Sequence, residues 1–104
     1  MNPIPVLTDE QRAANLKRAN EAREQRRRLR HLLATGGMTV GDVLASSDGQ
    51  CVRMPVRYLI ESLPGIGRVR SLAVMEELGI GERKRVGGLG RRQREALAEW
   101  AESL

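Results

Sequence analysis

The segment Leu63-Pro64-Gly65-Ile66-Gly67-Arg68-Val69-Arg70 leaves the backbone very few arrangements. Proline and glycine together stop a helix, one apolar residue stands between two glycines, and helix-forming residues resume at once. The chain must turn between two helices within a few residues, with Ile66 as the anchor in the core. Gly65 and Gly67 lack side chains, so a phosphate can approach the backbone there. Free N–H groups at the start of the following helix point at it along a favourable dipole. Arg68 and Arg70 follow closely enough to add charge-assisted hydrogen bonds. The block Gly88-Leu89-Gly90-Arg91-Arg92-Gln93-Arg94 repeats the design 23 positions later. It adds Gly88, Gly90, Arg91, Arg92 and Arg94 as candidate contacts. Either Gly-x-Gly alone reads equally well as an ordinary tight turn; the repeat, with its downstream arginines, points to nucleic acid. Contacts of this kind set register on a phosphate backbone and do not read bases.

Charge agrees with that reading. Lys and Arg number 18 against 13 Asp and Glu, a formal net charge of +5 with pI near 10.6, which draws polyanions. Tyr58 and Trp100 are the only aromatic residues, which argues against a platform for stacking unpaired bases. Duplex is the expected form. At 104 residues the chain has room for one small core. Cys51 and His31 are the single cysteine and histidine, so an internal disulfide is impossible and a protein-only zinc site is hard to assemble. Cys51 is expected to be a small apolar residue and His31 a surface one. Neither metal nor cofactor is expected. No apolar run approaches the roughly 20 residues of a membrane span, and Met1-Asn2-Pro3-Ile4-Pro5 lacks a basic-then-apolar signal pattern. A cytoplasmic protein without a membrane partner or small-molecule substrate is the expectation.

Local signals predict an all-α fold of about five helices. Thr8 with Gln11 forms a capping-box pattern opening a helix over Asp9–Ala34, closed by Gly36-Gly37. Thr39 with Asp42 opens a second, carrying Val40, Val43 and Leu44, before Ser46-Ser47-Asp48-Gly49 turns the chain. Pro55 suits the first turn of a third, whose Val56, Leu59, Ile60 and Leu63 share one face. A fourth runs over Gly67–Leu78, with Val69, Leu72, Ala73 and Met75 available to the core. The last, over Arg91–Glu102, turns Leu97, Trp100 and Ala101 inward. No window combines β-branched alternation with hairpin turns.

The first helix is unusual. From Asn15 to Arg28 it is polar almost all round and rich in arginine, so it is expected to project from the core. Arg23, Arg26, Arg27, Arg28 and Arg30 read equally as a solvated face held by pairs such as Glu24 with Arg28, or as additional DNA contacts on a basic arm. The domain division expected is an arm and long basic helix over 1–36 and a binding domain over 37–104.

With these motifs in hand, the chain resembles the actinobacterial integration host factors over nearly its whole length. The resemblance rests on Leu7-Thr8-Asp9-Glu10-Gln11-Arg12-Ala13-Ala14, on Leu63-Pro64-Gly65-Ile66-Gly67-Arg68-Val69 with Glu76-Glu77-Leu78, and on the Gly88–Arg94 block. It implies a long N-terminal helix followed by a compact helix–two-turn–helix domain. It also implies a nucleoid-associated protein that binds duplex DNA through its backbone and affects shape, topology and compaction. Separately from the resemblance, the chain is expected to be monomeric off DNA, although its sequence is compatible with either a monomer or a DNA-assembled array. The contacts it implies are Pro64, Gly65, Gly67, Arg68 and Arg70 at one hairpin, and Arg83, Lys84, Arg85, Gly88, Gly90 and Arg91 around the other. Gly87 departs from the pattern, since some family members carry Arg there.

Three other readings compete. A ribosome-associated protein could use the same fold on RNA, and a long basic helix could instead hold an acidic protein partner. A DNA-repair enzyme is disfavoured: Glu61, Glu76, Glu77 and Glu82 form no metal cluster in the sequence, and there is no activated nucleophile or second domain to hold a flipped base. The expectation is a binding protein without catalysis.

Overall fold

The computed structural model describes residues 8–104. Six α-helices follow in order: α1 Asp9–Thr35, α2 Val40–Ala45, α3 Gly49–Val52, α4 Val56–Glu61, α5 Arg68–Glu77 and α6 Arg91–Glu102. A 3-10 turn, Val86–Gly88, precedes α6, and no strand occurs among the described residues. The expected all-α fold and its long first helix are both present.

Helix ends follow local chemistry. The Thr8 hydroxyl accepts from the Gln11 N–H at 3.1 Å while Gln11 Oε1 accepts from the Thr8 N–H at 2.9 Å, and Thr39 and Asp42 repeat this reciprocal cap at α2. Gly36 and Gly79 close α1 and α5 in the left-handed region, φ 81° and 71°. The extra helix, α3, is a single turn capped by Asp48, whose Oδ1 accepts from the Gln50 N–H at 2.8 Å. The expected turn over Ser46–Gly49 is thus the lead-in to a helix too short to show periodicity.

One core unites the chain. Leu33 at the end of α1 is buried with Val40, Val43, Cys51, Val56, Leu59, Ile60, Val74, Met75, Ile80, Val86 and Leu97, and both hairpin anchors, Ile66 and Leu89, join it. Trp100 and Ala101 pack against it from α6. Helix α5 turns differently from the expected stripe: Ser71, Val74 and Met75 face inward, while Val69 is 85% exposed and Ala73 is exposed. Both stripes have helical spacing, and the small Ser71 decides between them. Its hydroxyl sits 3.2 Å from Glu61 Oε1 on α4 and 2.8 Å from the Arg68 carbonyl, so α5 can lie close against α4. Val69 is left outside.

Two long-range features shape the binding side. The Val56 N–H donates to the Lys84 carbonyl and the Val86 N–H to the Met54 carbonyl, each at 2.9 Å, clasping the start of α4 to the segment before α6. The first half of α1 extends outward: every residue from Asp9 to Glu21 is exposed, and the described residues measure 57 × 31 × 26 Å.

Candidate nucleic-acid interface

Gly65 takes φ 75°, a conformation that suits glycine, and turns the chain directly into α5. Gly67, the residue before α5, is different. Its φ of −91° suits any residue, and a Cβ built on it meets nothing within 4 Å. Gly90, before α6, has φ −73° and equally ordinary surroundings, with Gln93 Oε1 3.7 Å from a Cβ. The fold itself does not require glycine at either position, yet both helix starts are bare and open to approach from outside.

The donors there are also unspent. Helix α5 has no side-chain cap, and its first internal bond runs from the Ser71 N–H to the Gly67 carbonyl, leaving the amides of Arg68, Val69 and Arg70 facing outward. In α6 the first such bond is from Arg94 to Gly90, leaving the amides of Arg91, Arg92 and Gln93, while the Gly90 N–H itself donates to Gln93 Oε1 at 3.0 Å. Helices α1, α2 and α3, by contrast, carry side-chain caps, and α4, which also lacks one, is started by Pro55 and not by glycine. Neither α5 nor α6 has an acidic residue in its first turn. Arginines stand there instead, opposing the dipole by about 0.3–1 kcal/mol each in the absence of an anion. A phosphate reverses that sign.

The two hairpins lie at opposite ends of α6. Pro64 lines a cavity with Ala98, Ala101 and Glu102 near the end of that helix, whereas Gly90 caps its start and Gln93 Nε2 donates to the Gly79 carbonyl at 3.0 Å. Helix α6, 12 residues long, therefore runs from the second hairpin toward the first. Pro64, Gly65, Gly67, Arg68 and Arg70 are all exposed at one end, and Gly88, Gly90, Arg91 and Arg92 at the other. Arg91 also pairs with Glu95 at 3.3 Å on the open surface.

Arg94 requires a correction. Its half-buried guanidinium donates to the carbonyls of Leu44 at 2.9 Å, Val86 at 3.0 Å and Leu89 at 3.3 Å, so it braces the second hairpin from within and is not free to contact phosphate. The motif placed it one helical turn too far along, on the inward face. Around the clasp, Arg83 and Arg85 are exposed and Lys84 half-buried, and Arg85 Nη1 donates to the Arg53 carbonyl at 2.6 Å. Gly87, the departure from the family pattern, is packed: a Cβ there would lie 2.6 Å from Val52 Cγ1 and 3.0 Å from the Val52 carbonyl oxygen.

On α1, Arg23, Arg26, Arg27, Arg28 and Arg30 are all exposed. The expected Glu24–Arg28 pair is replaced by a loose Glu24–Arg27 contact of 4.0 Å. Arg30 lies over the Tyr58 ring, 5.4 Å from its centre, and Arg26 faces a cavity shared with Arg53 and Arg85. Arg53 and Arg57 complete the basic surface around Pro55. Sequence reasoning missed both, although they bracket Pro55 symmetrically.

Known proteins match this arrangement. Residues 33–100 fit the S13-like H2TH domain. The integration host factor of Mycobacterium tuberculosis is 46% identical over 98 residues, covering 92% of this chain and 93% of that protein. That of Streptomyces coelicolor is 44% identical over 92 residues, covering 86% of each. The solved structure of sIHF bound to an 8 bp palindromic DNA superposes with a TM-score of 0.78 at 36% identity, covering 82% of this chain and 98% of that one. With an uncapped, glycine-started helix at each hairpin and relatives matched over nearly their full length, the chain belongs to the integration host factor family of mycobacteria and streptomycetes and carries the S13-like H2TH domain.

Proposed function

We propose that this chain is a nucleoid-associated architectural protein that holds duplex DNA by its phosphate backbone with little regard to sequence. The observation that carries the reading is the pair of open, uncapped helix starts, each led by glycine and flanked by arginine. Pro64, Gly65, Gly67, Arg68 and Arg70 form one contact surface. Gly88, Gly90, Arg91 and Arg92, with Arg83, Lys84 and Arg85 beside them, form the other. The solved relative bound to DNA supports the choice of partner.

Separation of the two surfaces bears on DNA shape. Bending a duplex over 20–30 bp costs roughly 1–6 kcal/mol, which must be offset by contacts on both sides of the bend. Two separate surfaces, one toward each end of α6, can engage DNA in that way. Effects on topology and compaction follow from the same bridging.

The role is binding and not catalysis. Glu61 is engaged with Ser71 and lies 3.7 Å from Arg57, while Glu76, Glu77 and Glu82 are solvated. No helix among the described residues is long and apolar enough to cross a membrane. A protein working on the nucleoid, in the cytoplasm and as a monomer off DNA, is consistent with this surface.

The S13-like domain supports one alternative, a ribosome-associated protein that holds RNA. Competition decides between them: duplex DNA of unrelated sequence should displace a labelled duplex more effectively than RNA duplex does. Stronger competition by RNA favours the ribosomal reading.

A further inference from the structure

The contact between α1 and the domain runs along Ala22, Arg26, Leu29 and Leu33, spaced i, i+4, i+7, i+11 on one helical face. Leu33 is buried and Ala22 and Leu29 are half-buried, so three of the four positions are apolar and turned inward. The fourth is an arginine. Arg26 borders a cavity of about 390 Å³ together with Arg53 and Arg85, over a floor of Met54, Pro55 and Tyr58, with Ala22 and Gln50 completing the wall.

No carboxylate lines this cavity, and among the described residues none forms an ion pair with any of its arginines. Glu82 lines the adjoining cavity, with Arg57, Arg83 and Arg85. The arginines come from separate parts of the chain: α1, the turn after α3, and the clasp before the 3-10 turn. Each is held locally. Arg26 Nε donates to the Ala22 carbonyl at 3.4 Å, Arg85 Nη1 donates to the Arg53 carbonyl at 2.6 Å, and Arg30 over Tyr58 fixes α1 against α4. Like charges placed around one concave, low-dielectric wall repel one another and focus the field on an anion. Arginine forks at its rim can grip phosphate oxygens in pairs.

We propose that Arg26, Arg53 and Arg85 form one composite site for a single phosphodiester of duplex DNA, and that this shared phosphate couples α1 to the second hairpin. The inference deepens the proposed function and rests on it. Arg26 thereby acquires a role distinct from Arg23, Arg27 and Arg28, which lie outside the cavity, and Gln50 and Tyr58 stand where they can complete the phosphate's hydrogen bonds.

The test is the salt dependence of duplex binding for the full chain and for Arg26→Leu, Arg53→Gln, Arg85→Gln and their triple combination, with Arg18→Gln on the exposed part of α1 as the comparison. One shared phosphate contributes about 0.9 to the log–log slope. Each single variant is expected to lose about tenfold in affinity, the worth of one charge-assisted contact. The triple variant is expected to lower the slope by about one phosphate in total, and Arg18→Gln to leave it unchanged.

Arg26→Leu extends the apolar seam, so its melting temperature should equal or exceed that of the unmodified chain. Lower stability with unchanged binding would assign Arg26 to the fold. Slope losses that add as three separate phosphates, or an equal loss from Arg18→Gln, would also overturn the shared site. If the unmodified chain does not bind duplex DNA, the proposed function fails together with the site. If it binds and the triple variant keeps its slope, only the site fails.

Discussion

Arg94 on α6 donates from Nη1 to the carbonyl of Leu44 on α2 at 2.9 Å, across 50 positions of chain. The same guanidinium holds the Val86 and Leu89 carbonyls, so one side chain ties α2, the 3-10 turn and the second hairpin to α6. Replacing it with Ala leaves those acceptors without their cationic donor, and unfolding stability should fall by about 3 kcal/mol, of the order of one to two charge-assisted bonds. Lys, a single point donor, should recover only part of the loss. Urea denaturation measures both, and a change within about 0.5 kcal/mol, as for an ordinary surface site, would show that the brace contributes nothing.

Gly87 and Val52 form the tightest packing at any glycine. A Cβ on Gly87 would meet Val52 Cγ1 at 2.6 Å, so Gly87→Ala is expected to destabilise by about 1–3 kcal/mol through overpacking. Because the obstruction is mainly a side chain, Val52→Gly in the same chain should recover much of the loss, and Gly87→Arg should be tolerated better in that background. A double-mutant cycle on stability checks the coupling; additive effects would show that the two residues do not share the space.

Much of this architecture was legible because its signals are local. Thr8 with Gln11 and Thr39 with Asp42 cap the helices they were expected to cap, and α6 occupies its expected span. Ile66 and Leu89 anchor the hairpins. Local pattern could not choose between the Val69 and Ser71 faces of α5, since both have helical spacing and only packing against α4 separates them. The same limit applies to Arg94, whose partners lie in other elements. Arg53 and Arg85 likewise share a cavity only because the clasp between Met54–Val56 and Lys84–Val86 forms. Val69, expected among the core residues of α5, instead stands 85% exposed beside the first hairpin.

Gly67→Asp should separate stability from binding. The position has open space and an N-cap conformation that accepts Asp, whose carboxylate can cap the free amides and suit the dipole, adding about 0.5–1 kcal/mol of stability. The same charge occupies the place of a phosphate. Thermal melting should rise while duplex affinity falls further than in the Arg68→Ala, Arg70→Ala double variant. Unchanged binding would remove the α5 start from the interface.

Acid should loosen the start of α2. Hydrogen bonds from the Thr39 backbone and hydroxyl hold the Asp42 carboxyl below its ordinary pKa. The folded value is therefore lower than the unfolded one. Its contribution is complete above the unfolded value and is lost as pH falls through the folded value. Asp42→Asn should remove that part of the acid dependence, measurable as a flatter stability profile at low pH; an identical profile would show that the group is not linked to folding.

The central claim is that binding works through phosphates and not through bases, and affinity for two unrelated DNA duplexes across a salt series tests it most directly. Roughly four to six phosphate contacts predict parallel log–log lines with a slope near −4 to −5 on B-form DNA. Similar steep lines for both duplexes are the predicted result. A shallow slope, or steep binding confined to one duplex, would contradict a backbone-reading protein.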